Sequence, residues 1–210
     1  MQIIPSILEY DEESFLSIFN SFTQIANRLQ IDIVDKTFDL DSTLPLQEAV
    51  TVASDNNFGS SLEFHLMTKN PKEDTILLEN SSLPIHLVLL HFDFLKNNSV
   101  MSNLPLGVVV NPEDDINEVV RLYKDSQVIQ FMTIKPGRQG NPFLPEQLKK
   151  IKHLREKGFR GQISLDGGIG EKEAEQIARL EFKPDSIVVG SYLKTNPKQS
   201  FEKLSQILNP

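Results

Sequence analysis

Apolar and polar positions along the chain follow two alternating rhythms. Short runs rich in Ile, Val and Leu have the length and β-branched content of buried strands: "QIIPSIL" (2–8), "LQIDIVD" (29–35), "SLEFHLM" (61–67), "IHLVLL" (85–90), "GVVVN" (107–111), "VIQFMTI" (128–134), "QISLD" (162–166) and "DSIVVGS" (185–191). Between them, apolar residues recur with helical period over 14–27, 44–56, 71–79, 93–100, 113–124, 145–157, 171–180 and 197–208. Asn70-Pro71, Asn111-Pro112-Glu113 and Asn196-Pro197 read as helix starts, a capping side chain followed by Pro in the first turn. Repeated strand-then-helix units in 210 residues predict an α/β fold. The expected architecture is a compact (β/α)8 TIM barrel over 1–210 as one domain, with a doubly wound open sheet as the alternative.

In a barrel the chemistry belongs at the C-terminal strand ends, so polar residues inside the apolar runs carry information. Alternation puts Gln30, Asp32, Val34 and, if the strand continues, Lys36 on one face, with Asp35 on the other. The same parity groups Glu63, His65 and Met67, and likewise Ser164, Asp166 and Gly168. Asp32, His65 and Asp166 each fall just before a loop, which lets them converge on one mouth. They can also be read as separate buried groups, each satisfied by hydrogen bonds. Unpaired buried carboxylates are costly, however, and a shared cation is one standard remedy. Glycines form a second pattern: Gly137 and Gly140 follow strand six, Gly167 and Gly168 follow strand seven, and Gly190 with Ser191 follows strand eight. Backbone N–H groups in such loops suit a phosphate, although ordinary turn and cap glycines would look similar.

Composition narrows the choices. A formal charge of -8 argues against a broad nucleic-acid surface. The absence of cysteine removes disulfides, thiolate nucleophiles and Cys-based zinc sites, leaving four histidines and the carboxylates for any metal. No apolar run approaches the roughly 20 residues of a membrane span, and "MQIIPSILEYDEE" lacks the sections of a signal peptide. A cytoplasmic location without nucleic-acid or membrane partners is the expectation, with a homo-oligomer compatible with it.

In order along the chain, "IIPSIL" (3–8), "IDIVD" (31–35), "EFHLM" (63–67), "VVVNPE" (108–113), "MTIKPGRQGNPF" (132–143), "LDGGI" (165–169) and "VVGS" (188–191) resemble the ribulose-phosphate 3-epimerases over nearly the whole length. The resemblance implies a (β/α)8 barrel that interconverts D-ribulose 5-phosphate and D-xylulose 5-phosphate by two-base proton transfer at C3. It carries the two proton-transfer aspartates onto Asp32 and Asp166. It also implies a divalent metal (zinc, iron(II) or manganese) held by these aspartates and two histidines, of which His65 matches the second. Ser6, His65, Gly140, Gly167, Gly168, Gly190 and Ser191 match the substrate and phosphate contacts, with 136–142 as a lid. Met67 and Met132, with Val34 in place of a third methionine, match the pocket wall. His91 matches a family histidine that is not a ligand, and His86 and His153 read as structural or solvent-facing.

The departures concentrate at the metal. Gln30 stands where the first histidine is expected, and an amide oxygen is a poorer ligand for zinc or iron than imidazole, so the implied metal site is weakened or absent. Lys36 stands where a glycine is expected, Lys135 replaces an acid, Arg138 an aromatic and Gln139 a glycine. Lys36 and Arg138 are candidate substitute cations for an enediolate or a different phosphorylated ligand; as solvated loop residues they would do neither. Decarboxylases of the same barrel use an Asp-x-Lys-x-x-Asp array that adjacent Asp35 and Lys36 do not reproduce. Two alternatives stand beside the epimerase: a barrel that binds a sugar phosphate without turning it over, and an epimerase of another ketose phosphate.

Overall fold

A computed structural model describes residues 1–39, 41–56, 59–137 and 140–209. Eight parallel strands close into a barrel in chain order: β1 (Gln2–Ile7), β2 (Arg28–Val34), β3 (Ser61–Met67), β4 (Ile85–His91), β5 (Leu106–Val110), β6 (Val128–Met132), β7 (Gln162–Asp166) and β8 (Ser186–Val189), the last pairing back onto β1. Around them run α1 (Glu12–Thr23), α2 (Leu46–Asn56), α3 (Pro71–Glu79), α4 (Phe92–Leu95), α5 (Ile116–Tyr123), α6 (Leu148–Glu156), α7 (Glu171–Ala178), α8 (Ser191–Lys194) and α9 (Pro197–Leu208). The eight predicted strands and the barrel are present. No helix among the described residues is long and apolar enough to cross a membrane.

The period of two divides each strand between two environments. Outward positions such as Ile31, Ile33, Phe64, Val88, Ile129, Phe131 and Leu165 pack against helix residues including Phe15, Phe19, Phe22, Ala49, Ile151 and Ile177 in one continuous core. Inward positions are mixed. On the β4–β6 side Leu87, Leu89, Val109, Val128 and Met132 form a small apolar cluster. Buried Gln30, Asp32, Glu63, His65, Gln130, Ser164 and Asp166 come from β2, β3, β6 and β7. The lumen is therefore apolar on one side and polar on the other.

Several helix starts differ from expectation. Asn70 and Asn196 occupy the cap positions of α3 and α9 but make no side-chain cap bond; Pro in the first turn, already lacking an N–H, supplies the start. The α5 cap is Asp115, which accepts the Asn117 N–H at 2.9 Å, because 111–114 is folded into a separate turn by the Asn111 N–H bond to Asp114 at 2.6 Å. α8, between β8 and α9, is an addition to the predicted elements.

Buried Glu63 lies beside Arg28 at 3.5 Å and level with Gln30 in the β2–β3 register. Burial, helped by the charge of Asp166 and opposed by Arg28, pushes its carboxyl up to about 7 from an ordinary 4.5. The folded state thus holds this proton more tightly than the unfolded chain. The associated stability is fully present below pH 4.5 and is lost as pH rises through 7. Relative to Glu63→Gln, the wild type should lose on the order of 2–3 kcal/mol between pH 4.5 and 8 in urea unfolding. Parallel pH profiles for the two proteins would show that Glu63 is not the buried acid responsible.

Candidate active site

Strand register assembles the site. Asp32 on β2 is level with His65 on β3, and Asp166 on β7 is level with Met132 on β6. Gln30 and Gln130 sit one inward position deeper on β2 and β6. The Gln30 amide bridges the two acids, its Nε2 donating to Asp32 Oδ1 at 2.7 Å and to Asp166 Oδ2 at 2.8 Å. Gln130 Nε2 donates to the same Asp166 oxygen at 2.8 Å. His65 Nδ1 lies 3.2 Å from Asp32 Oδ1 and 3.6 Å from Asp166 Oδ2. Its Nε2 meets His91 Nε2 at 2.9 Å.

Charge follows from this geometry. Burial works against protonation of His65, but the hydrogen bonds and charges of Asp166 and Asp32 outweigh it and raise its pKa to about 9. His91 is held well below the usual value by burial and by the charge of His65, with the Asn111 side chain acting weakly the other way. The two shifts run in opposite directions across the Nε2–Nε2 contact, favouring the charged form of His65 and the neutral form of His91. Asp32 is raised, chiefly by burial and next by the neighbouring Asp166 charge, against the opposing hydrogen bonds of His65 and Gln30.

A narrow cavity of about 40 Å³ opens above the aspartates, and Ser6, Asp32, His65, Met67, Met132 and Asp166 line it. Its far wall is Gly140, Gly167, Gly168, Gly190 and Ser191. Gly167 and Gly168 have φ of 115° and 68°, and a Cβ on Gly167 would lie 2.4 Å from Ile134 Cγ1, so the β7 loop is pressed directly onto the β6 loop. Thr133 fastens the two, its N–H donating to Asp166 O at 2.7 Å and its Oγ1 to Gly167 O at 2.6 Å. α8 is tied to the end of β1 by Lys194 Nζ, 3.3 Å from Leu8 O and 2.5 Å from Glu9 Oε1, which fixes Ser191 at the rim.

Other expected residues lie elsewhere. Val34 is buried behind the wall against Leu8 and Met67. Lys36 is exposed in the turn after β2, away from the cavity lining, because β2 ends at Val34 and Asp35 instead binds the N–H groups of Thr37 and Lys69 at 2.8 and 2.7 Å. Arg138 lies outside the described residues. His86 is half-buried and His153 pairs with Asn117 at 3.0 Å, both apart from the site. Sequence reasoning overlooked Gln130 and the His65–His91 contact. Gln130 bore the same signal as Gln30, one polar residue at an inward position of an apolar strand.

Asp32, His65 and Asp166 each offer a ligand atom, all within 4.8 Å of one another, a donor set that a divalent cation can use. As arranged, the set does not fit a cation directly, because the oxygens nearest His65 Nδ1 are the ones that accept amide N–H groups.

Residues 2–194 match the ribulose-phosphate 3 epimerase family. The ribulose-phosphate 3-epimerase of Bacillus subtilis is 26% identical, covering 97% of this chain and 98% of that one; the Mycobacterium leprae enzyme is 27% identical, covering 90% and 86%. Among solved structures, 3-hexulose-6-phosphate synthase from Salmonella typhimurium superposes with a TM-score of 0.65 at 16% identity, covering 99% of this chain and 98% of that one. Phosphoribosyl anthranilate isomerase from Thermotoga maritima gives 0.66 at 13%, with the same coverage. At such identities these two share the barrel alone. The relatives and the family match together span the chain from β1 into α8, and the protein belongs to the ribulose-phosphate 3 epimerase family as a divergent member.

Proposed function

We propose that the protein interconverts D-ribulose 5-phosphate and D-xylulose 5-phosphate by moving a proton at C3, with Asp32 and Asp166 as the two bases. The observation that carries this reading is the pair itself: two buried carboxylates beside a cavity whose other wall is glycine-rich. The phosphate would rest on the N–H groups of Gly168, Gly190 and Ser191, placing the sugar chain toward the aspartates. Asp32 Oδ2 and Asp166 Oδ1, the oxygens turned away from the amides, are left to meet the substrate. One carboxylate removes the C3 proton, and the other acid returns a proton to the opposite face. Burial makes Asp32 the readier proton carrier compared with an ordinary carboxylate.

The apolar Met67 and Met132 exclude water from the developing enediolate, and the Ser6 hydroxyl stands within the cavity to donate to an oxygen. The β6 loop, with Pro136, Gly137 and Gly140 on the cavity wall, would be the lid over a bound pentulose phosphate. The two ends of that loop are joined by one hydrogen bond, Leu144 N–H donating to Thr133 O at 2.7 Å.

Proton NMR in deuterium oxide tests the reading. Incubated with ribulose 5-phosphate, the protein should exchange the C3 hydrogen and produce xylulose 5-phosphate. Asp32→Asn and Asp166→Asn should each reduce turnover by about 10²–10⁴-fold. Absence of exchange from the wild type, alongside tight binding of the phosphate ester, would establish instead a binding barrel without this reaction. Gly168→Val should raise KM on the order of tenfold with a smaller change in kcat, since displaced phosphate-binding N–H groups act in ground and transition states alike. Lys36→Met should leave kcat/KM within about twofold, as expected of an exposed side chain off the cavity; a large loss would restore Lys36 as a substitute cation.

A further inference from the structure

Each inward carboxylate oxygen of the site already has two N–H neighbours. Asp32 Oδ1 takes Gln30 Nε2 and His65 Nδ1, at 2.7 and 3.2 Å. Asp166 Oδ2 takes Gln30 Nε2 and Gln130 Nε2, both at 2.8 Å. A carboxylate oxygen has about two lone-pair directions, so both oxygens are saturated. We propose that Gln30 and Gln130 are positioning residues that hold Asp32 and Asp166 together through amide N–H groups and thereby keep divalent cations out of the site.

The orientation of the amides follows from what they touch. A glutamine facing two carboxylates must present its NH2, because its carbonyl oxygen would meet two acceptors. The opposite ends, Gln30 Oε1 and Gln130 Oε1, are buried and have no hydrogen-bond partner among the described residues. Leaving a buried amide oxygen unpaired is unfavourable, and it persists because the charge-assisted bonds at the other end outweigh it. Turning either amide over would aim an oxygen at the carboxylates and gain a ligand only if a cation stood between them. Amide N–H groups and a cation therefore compete for one place, and the side chains as arranged favour the amides.

Two neutral amides differ from a metal in function as well as charge. They tie down one oxygen of each acid and leave the other free, orienting the pair without withdrawing its negative charge as a dication would. The inference refines the epimerase reading and rests on it only for the roles of Asp32 and Asp166.

The sign of one substitution tests it. Chelator-treated protein is titrated with cobalt(II) by calorimetry and visible absorption, for wild type and for Gln30→Met, which keeps the side-chain length and removes the donor. If the amide competes, Gln30→Met binds cobalt at least about tenfold more tightly than wild type. If the amide turns and coordinates, Gln30→Met binds more weakly, and that result overturns the proposal, as does a wild type that retains one metal per chain through chelation. Gln130→Met, which frees one lone pair of Asp166, should shift affinity in the same direction and serves if Gln30→Met does not fold. Loss of the C3 exchange reaction would leave these affinities unchanged, so failure of the epimerase reading and failure of this one are separately visible.

Discussion

Two carboxylates buried close together in a protein interior repel each other, and the rest of this site is arranged around that repulsion. At separations under 5 Å in a medium of low effective dielectric, like charges cost several kcal/mol unless donors or cations stand between them. Here the donors are amides and one imidazole. The requirement places polar residues on β2, β3, β6 and β7, where a barrel of this type would otherwise be filled by branched aliphatic side chains. Elsewhere in the lumen the usual filling returns, with Leu87, Leu89, Val109 and Val128 opposite the acids.

Parallel register makes such an arrangement reliable. Because side chains alternate with a period of two and neighbouring strands are locked by hydrogen bonds, the level of Asp32 determines that His65 stands beside it. The imidazole is in turn oriented by His91 at the end of β4, whose ring is covered by Phe38 from the loop after β2, with centroids 4.9 Å apart. Thus a charged centre is supported by a neutral ring, and the neutral ring by an aromatic one. Each step outward replaces charge by polarity and polarity by apolar contact.

Much of this was legible from residue order. Strand positions, the barrel, Asp32, His65 and Asp166, and the glycine loops follow from periodicity and from polar residues at inward positions. Lys36 was misplaced because β2 ends at Val34, and alternation carries no information once Asp35 turns the chain by binding Thr37 and Lys69. Asn70 and Asn196 were plausible caps by residue type, but side-chain rotamers are decided by packing that sequence does not display. The direction of an amide is likewise invisible in a sequence. Gln30 appeared there as a poor metal ligand, and only its two carboxylate neighbours reveal it as a donor.

The fastening at Thr133 has a thermodynamic consequence. Its backbone and hydroxyl bind Asp166 and Gly167, while Ile134 fills the space beside Gly167 and Gly168, so the base of the β6 loop and the glycine cradle on β7 form one mechanical piece. A ligand that grips the cradle therefore shares free energy with the position of the loop. Under the proposed function, linkage would make the exchange reciprocal: whatever factor closure of the loop contributed to phosphate affinity, bound phosphate would contribute equally to closure. The end of the substrate that takes no part in bond making would then set how long the reacting end stays dry.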